Sequence, residues 1–258
     1  MKGIGIIFDI LAIIFGGSIG VMLKHKIPAW IKRLILPFLG FLAILFGAYS
    51  LIDGWFSGTA PGEEQEGSFL IEVALLVGTL FGEALCFSQG LDKLGGVLNK
   101  IDRRPVVTPK AASEQPVALR TGNRFIDGFA LASVLCAFSS LTVTATLAEC
   151  LDASHKMILI KSVVDVVVIF LLTTIYDSGV CFAVIPTLIV EGTLAVIATQ
   201  HTAWLTPTYI VHLTVISSII LIGAGVNLAF GKRLRVINLL PAAMIGPLYW
   251  WAIKFVEK

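Results

Sequence analysis

The sequence predicts an all-α protein, a polytopic transmembrane helical bundle of about eight spans. Only 14% of its 258 residues are charged and 57% are hydrophobic, whereas a soluble domain is charged at about a quarter of its positions. The mean hydropathy of +0.91 indicates that much apolar surface faces lipid. Backbone groups in lipid need internal partners, which leaves helices or closed barrels. Because the apolar runs are continuous where barrel strands would alternate, we expect helices.

Eight apolar runs approach or reach the roughly 20 helical residues that a span requires. They lie at residues 3–23, 34–52, 69–89, 125–148, 157–176, 179–199, 207–230 and 236–255. The first run lacks an A-x-A cleavage site, so we expect it to be retained as a span. The last run contains Asn238, Pro241 and Pro247, and proline removes a backbone donor. We therefore expect this span to be broken or re-entrant, and seven or nine crossings stay open as alternatives.

The chain divides into a three-span N-terminal unit at 1–89, a basic linker at 90–124 and a five-span C-terminal unit at 125–258. The linker is the one long polar stretch, and its prolines are typical of an extended connection. A plain connector is the simpler interpretation. The alternative is a regulatory or lipid-headgroup contact through its basic residues.

Lysine and arginine residues gather in three of the predicted loops, between spans 1 and 2, spans 3 and 4, and spans 7 and 8. The loop between spans 2 and 3 has Asp53, Glu63, Glu64 and Glu66 and no basic residue. With alternating spans, all three basic loops fall on one side. The positive-inside rule then predicts cytoplasmic basic loops and both termini outside.

Two pairs of segments look like internal repeats. Residues 14–23 superpose on residues 76–85, which sets Gly16 on Gly78 and Gly20 on Gly82. A small residue at every fourth position clears a helix face for close packing, so these four glycines are predicted packing positions. Residues 139–149 match residues 217–227 more faintly. Since those spans would run in opposite directions, this second pair would be an inverted repeat of the kind found in secondary transporters.

Cofactor and enzyme chemistry have no recognisable motif in this chain. The four cysteines are scattered in or beside apolar runs without a C-x-x-C spacing, so we interpret them as small apolar residues. No H-E-x-x-H, P-loop or dinucleotide motif occurs. We therefore expect no catalytic residues, no cofactor, no metal site and no nucleic-acid partner.

Ionisable residues inside the predicted spans are the main functional candidates, because each costs roughly 2.5–3.5 kcal/mol at mid-depth. Lys161 and Asp165 are four residues apart in the fifth span and can form an intrahelical ion pair. Pairing alone would make the two charges tolerable in lipid. The alternative is that the pair lines an ion or substrate path.

Other polar candidates are distributed over several spans. Glu83 follows a packing glycine and could remain neutral or carry a proton. Glu149 ends a stripe of hydroxyl residues, Ser139, Thr142 and Thr146, whose side chains could face a wet cavity or bond to the preceding helical turn. The remaining candidates for the pathway are Glu191 in the sixth span and Asn238 beside the first proline of the last span, with Asp9 as a further acidic residue.

Several motifs together resemble a known prokaryotic membrane family, the one catalogued as domain of unknown function 554. They are GIIFDILAIIFGGSIG near the start, the GE of Gly82 and Glu83, K-S-x-x-D from Lys161 to Asp165, and NLLPA from Asn238 to Ala242. The resemblance covers essentially the whole chain. It implies a protein of the prokaryotic cell (inner) membrane, commonly described as transport-related and without an agreed substrate.

The chain departs from the family pattern at four positions. Asp9 stands where asparagine is expected and Glu191 where glutamine is expected, while Phe138 and Thr144 replace expected glycines. The first two departures add acidic groups inside the membrane. They favour a protein that handles a cation or a proton where its relatives use neutral polar contacts.

Two functional hypotheses follow. The first is a secondary transporter or channel-like protein for a small solute, cation or proton, since embedded charges, a proline-broken span and repeats occur together. The second is a non-transporting membrane scaffold that homo-oligomerises through its glycine-rich helix faces. Convergence of the polar candidates on one cavity would favour transport, and dispersal among dry helix contacts would favour the scaffold.

Overall fold

The described part of this computed structural model consists of helices joined by short connections. It comprises residues 3–24, 26–57, 64–101, 123–200, 205, 207–231 and 234–242, and these residues contain no β-strand. The prediction of an all-α membrane protein is confirmed.

Nine α-helices and two 3-10 helices are present in these residues. In chain order the α-helices are α1 (Ile4–Leu23), α2 (Ala29–Ser57), α3 (Glu64–Ala84), α4 (Phe87–Ile101), α5 (Arg124–Ala137), α6 (Ser140–Asp152), α7 (Lys156–Tyr176), α8 (Val184–Gln200) and α9 (Pro207–Phe230). The 3-10 helices are Ser178–Ala183, which leads into α8, and Val236–Leu239.

Five helical segments of the described chain are long and apolar enough to cross a membrane: Ile4–Leu23, Trp30–Phe56, Lys156–Tyr176, Ser178–Gln200 and Tyr209–Phe230. Two bent pairs, α3 with α4 and α5 with α6, raise the number to seven if each pair is one span. The predicted eighth span lies mostly in residues 243–258, outside the described residues. Its first residues form the 3-10 helix Val236–Leu239, followed by a turn at Leu240 and Pro241.

Two of the predicted spans are broken rather than continuous. Helices α5 and α6 meet at 45° at Phe138 and Ser139, where the Ser139 side chain caps the new helix by accepting from the backbone N–H of Thr142. Capping satisfies one of the backbone donors that a helix start leaves free. Helices α3 and α4 meet at 53°, and Cys86 between them has a left-handed φ of 51°.

Residues 90–101 are helical, although they were expected to begin the polar linker. The helix forms because apolar residues recur at helical spacing and cover an apolar neighbour. Leu98 is buried against Phe125 and Phe129 of α5, with Leu91 packed beside them. The rest of the predicted linker, residues 102–122, lies outside the described residues.

Glycine stripes bring the long helices into close contact. Helix α1 runs parallel to α7, with the contacts Gly5 to Ile158, Gly16 to Val166 and Gly20 to Thr173. Helix α2 runs antiparallel to α9, with the contacts Gly40 to Ala229, Gly47 to Ile222 and Gly54 to Val215. Without a Cβ at these positions, the backbones approach each other closely enough for dispersion contacts along the whole pair.

The described bundle has two distinct ends. At one, called here the Lys24 end, Lys24 pairs with Asp177 at 2.8 Å, and Arg235 lines the same cavity as Tyr176. At the other, called here the Glu149 end, the start of α1 meets the end of α6 and the start of α7. Lys32 lies near Lys24 and Arg124, so described basic residues from all three predicted basic loops, Lys32, Arg124 and Arg235, lie at the Lys24 end.

A candidate ion site in the bundle interior

A buried lysine surrounded by three carboxylates lies between α1, α7 and α8. The Lys161 ammonium donates to Asp9 Oδ2 at 2.6 Å and to Asp165 Oδ2 at 2.8 Å. It also contacts Glu191 Oε1 at 2.8 Å, an ion-pair distance without the angles of a hydrogen bond. Lys161, Asp9 and Glu191 have no exposed side-chain surface. These four residues are called here the Lys161 cluster.

The local sequence explains how the cluster is assembled. Lys161 and Asp165 are four residues apart on α7, so they share a helix face. Asp9 belongs to the buried stripe of α1, together with Gly5, Ile13, Gly16 and Gly20. Because the glycines of this stripe hold α1 tightly against α7, Asp9 is pressed toward the lysine.

The charges of the cluster do not balance. One ammonium and three carboxylates would carry a net charge of −2 if all were ionised. Burying uncompensated charge is strongly unfavourable. In addition, Asp9 Oδ1 and Glu191 Oε2 are buried without a hydrogen-bond partner among the described residues. The arrangement is therefore suited to take up protons or a small cation, which would supply the missing positive charge.

The break between α5 and α6 lies beside this cluster. The Cys136 thiol in the last turn of α5 lies near Asp165, and the Cys136 carbonyl accepts from the Thr142 hydroxyl at 2.6 Å. Ser140 Oγ, at the start of α6, is buried without a partner among the described residues. Broken helices with free polar groups form substrate and ion sites in many secondary transporters.

The predicted polar stripe of α6 points into the bundle. Ser139, Thr142, Thr146 and Glu149 are all buried. Glu149 Oε1 accepts from the backbone N–H of Gly5 at 2.6 Å and lies 3.1 Å from Nδ1 of His155. Glu149 thus binds the first turn of α1, where a carboxylate is favoured by the helix dipole.

Glu83 and Asn238 form a separate group at the Lys24 end, called here the Glu83 cluster. Glu83 accepts hydrogen bonds from Arg235 and from the Asn238 amide. Asn238 in turn accepts from the backbone N–H of Ser88 at 3.0 Å. The group joins the bend between α3 and α4 to the 3-10 helix Val236–Leu239, and its ion pair is largely solvent-exposed.

A cavity of about 340 Å³ opens beside the Glu83 cluster, within the usual range of about 300–1,000 Å³ for small-molecule sites. Its polar lining residues are Ser88, Gln89, Asp92, Asp127, Tyr176, Asn227 and Arg235. Val134 of α5 also lines it. The cavity therefore lies at the Lys24 end, against α5 and α9.

The structure divides the predicted site residues into three places. Lys161, Asp165 and Glu191 come together, Glu83 meets Asn238, and Glu149 lies at the opposite end. The ion pair expected between Lys161 and Asp165 is present. The sequence indicates Asp9 only as a further acidic residue, yet it makes the shortest contact to the lysine, at 2.6 Å. The sequence feature that could have identified Asp9 as a site residue is its position on the glycine stripe of α1.

The four predicted packing glycines all face other parts of the same chain. Gly16 and Gly20 lie against α7, and Gly78 and Gly82 lie against Ala242 and Asn238. The expected homo-oligomer stays a prediction. Within the described residues, no three histidine, cysteine, aspartate or glutamate side chains are arranged to hold a metal ion.

Comparison with known proteins places the chain among uncharacterised membrane proteins. Residues 4–251 match the family described as "Protein of unknown function (DUF554)". The chain is 20% identical over 249 residues to "Uncharacterized membrane protein YdfK" of Bacillus subtilis (strain 168), with 96% of each chain covered. It is 21% identical over 243 residues to "Uncharacterized protein YqgA" of Escherichia coli (strain K12), with 94% of each covered. No solved structure shows significant similarity to it.

The family match runs through every helix described above, from the start of α1 past the 3-10 helix Val236–Leu239. Both the resemblance carried by the sequence motifs and the helical membrane architecture agree with it. The chain therefore belongs to the DUF554 family of proteins of unknown function.

Proposed function

We propose that this protein is a secondary transporter or channel-like protein for a small solute or ion, and that the Lys161 cluster is the site at which a proton or cation is exchanged. The observation that carries the proposal is the uncompensated charge of the cluster. Three carboxylates from α1, α7 and α8 surround a single ammonium in the bundle interior. Ionisable groups at such a position tend to mark transport pathways and proton relays.

Two further features support transport. The span formed by α5 and α6 is broken next to the cluster, and a cavity opens at the Lys24 end of the bundle. A transporter needs a central site that can be reached from alternate sides.

The scaffold hypothesis receives less support. It relied on glycine faces that would bind a second copy of the chain. The glycines in question are covered by α7 and by residues 238–242 of the same chain, so these faces are already occupied. A scaffold also offers no use for three buried carboxylates around one lysine, since such a group weakens packing relative to apolar residues of the same size.

We further propose that the protein resides in the cell (inner) membrane with its Lys24 end in the cytoplasm and both termini outside. The proposal follows from the basic residues at the Lys24 end and the positive-inside rule. Reporter fusions between Gly90 and Arg124 should report a cytoplasmic location, and fusions near Gly62 an external one. Finding both positions on one side of the membrane would overturn the alternating topology.

Transport can be tested without knowing the substrate by comparing solute and ion uptake in cells with and without the protein. We expect one class of solute to differ between the two. The same difference should be lost with Asp165→Asn, which removes a cluster charge and keeps the side-chain shape. Glu72→Gln is the matched control, because Glu72 is an exposed carboxylate on α3 outside the cluster.

The solute profiles of the variants are compared at equal amounts of folded protein in the membrane. An unchanged solute profile with and without the protein would contradict the proposal. A profile that survives Asp165→Asn at equal protein levels would show that the Lys161 cluster takes no part in transport.

A further inference from the structure

Polar atoms without partners continue from the Lys161 cluster toward the Glu149 end. Glu149 Oε2, Thr146 Oγ1, Asp9 Oδ1 and Glu191 Oε2 are all buried and lack a hydrogen-bond partner among the described residues. Buried polar groups in proteins are almost always hydrogen-bonded. Several exceptions in one region therefore point to a role that requires groups free to accept or release a proton.

These atoms lie on helices that pack against one another, at successive depths along the bundle. Thr146 lies one turn below Glu149 on α6, and Asp9 lies one turn below Gly5 on α1, so each step covers about 4.5–6 Å along the helix axis. Ala145, next to Thr146, packs with Ile6 of α1 and Ile158 of α7, with Ala195 of α8 against them. Helices α1, α6 and α8, which carry these polar groups, thus pack together with α7 between Glu149 and the Lys161 cluster, around the apolar side chains of Ile6, Ala145 and Ile158.

His155 connects this region to the outside. It stands immediately before α7, its side chain is 42% exposed, and its Nδ1 lies 3.1 Å from Glu149 Oε1. Glu149 itself has no exposed surface. Imidazole is the side chain that exchanges protons most readily near neutral pH. A half-exposed histidine in contact with a fully buried carboxylate is a geometry that can pass protons from water into the bundle.

We propose that His155 and Glu149 form the proton entry to the Lys161 cluster from the Glu149 end. This inference rests on the proposed function and names the proton as the coupling ion. A proton from water binds His155 and is transferred to the Glu149 carboxylate, which becomes a neutral acid. Glu149 then releases the proton to an intervening water molecule, which passes a proton on to Asp9; the Asp9 carboxylate becomes neutral, and Glu149 is reprotonated through His155.

Other titratable groups lie on α6 and on the helices packed around it. They are Asp152 on α6, Asp9 on α1, Asp53 on α2, Lys156, Lys161 and Asp165 on α7, Glu191 on α8, and Tyr209 and His212 on α9. Among the contacts of the described residues, His155 is the group that both touches Glu149 and reaches solvent. For this reason the route is assigned to His155 rather than to Asp152 or His212.

Hydrogen–deuterium exchange of buried carboxylic acids, followed by their infrared C=O band after transfer of the purified protein into D2O, tests the route without any substrate. The band of the Lys161 cluster is identified by its loss in Asp9→Asn. We expect Glu149→Gln and His155→Gln to slow its exchange by about a hundredfold, as removal of a positioned proton-transfer group does. In Glu149→Gln the new side-chain amide carbonyl can still accept from the Gly5 backbone N–H, so the α1 contact is retained.

Asp127→Asn is the matched variant at the other end, because Asp127 lines the cavity at the Lys24 end. Its exchange rate should equal that of the unmodified protein. An unchanged rate in Glu149→Gln, a slowed rate only in Asp127→Asn, or the absence of any protonated carboxyl band would each overturn the route. The proposed function is tested separately, because it would be contradicted by an unaltered solute profile in the uptake comparison. That outcome would not affect how the exchange measurement is interpreted.

Discussion

The Lys161 cluster and the Glu83 cluster use the same chemistry in opposite surroundings. Each joins a basic side chain to a carboxylate 152 positions away in the sequence. Lys161 and its partner Asp9 are completely buried, whereas the side chains of Arg235 and Glu83 are 73% and 47% exposed. Water and mobile ions therefore screen the second pair and leave the first unscreened.

This difference decides what each group can contribute. An exposed ion pair is worth about 0–1 kcal/mol, while removing one partner of a buried pair costs about 3–5 kcal/mol because the other charge is left unpaired. The Glu83 cluster is expected to position the bend between α3 and α4 and to contribute little to the free energy of unfolding. The Lys161 cluster is expected to control both stability and charge uptake. The comparison can be tested by perturbing each group separately.

The largest effect is expected from Lys161→Met. The substitution leaves Asp9, Asp165 and Glu191 without their ammonium, so the free energy of unfolding should fall by about 3–5 kcal/mol. The measurement is the unfolding transition of the protein in detergent, or the yield of folded protein in the membrane. Adding Asp165→Asn should recover part of the loss, since one of the three unpaired charges is removed. Strictly additive losses in this double-mutant cycle would contradict the coupling.

A smaller loss of unfolding free energy is expected from Gly16→Ala, which weakens the α1–α7 contact that supports the buried cluster and changes no charge. A Cβ at Gly16 would lie 2.6 Å from the Val166 carbonyl oxygen, so α1 and α7 have to separate. Overpacking of this kind costs about 1–3 kcal/mol. The control is Gly192→Ala on α8, where a Cβ meets nothing within 4 Å. Equal unfolding transitions for the two variants would show that the α1–α7 contact does not hold Asp9 in place.

The smallest effect is expected from Arg235→Gln at the Glu83 cluster. Because both partners are largely exposed, the free energy of unfolding should change by less than about 1 kcal/mol, and added salt should reduce even that difference. The same unfolding assay at low and high ionic strength measures it. A loss as large as that of Lys161→Met would remove the contrast between the two clusters.

Much of the helical architecture could be predicted because hydrophobic run length and periodicity are local properties. The Lys161–Asp165 pair was also predictable, since a spacing of four places both on one helix face. The convergence of Asp9 and Glu191 on the same lysine was not, because it depends on how α1 and α8 pack against α7. The sequence supplies the charges, but the packing of distant helices decides which of them meet.

The breaks in the helices show a similar limit. The run at 125–148 is apolar throughout, so hydropathy predicts one span, and the two adjacent serines at its centre are a weak signal for a new helix start. The break depends on Ser139 capping α6 and on Thr142 bonding back to Cys136. The helix at residues 90–101 was missed for a different reason: its mixed composition resembles a linker, and its apolar face becomes meaningful only against Phe125 and Phe129.

The distance in sequence between Asp9 and Lys161 also has a consequence for biogenesis. At about 5–20 residues per second, translation of the 152 residues that separate them takes roughly 8–30 s. During that time α1 has left the ribosome, and its acidic residue has no lysine to bind. The nascent first helix must therefore wait as a neutral carboxylic acid, at the lipid interface, or beside an insertion factor. Chains truncated before α7 should consequently be cleared by membrane proteases faster than equally truncated chains that carry Asp9→Asn.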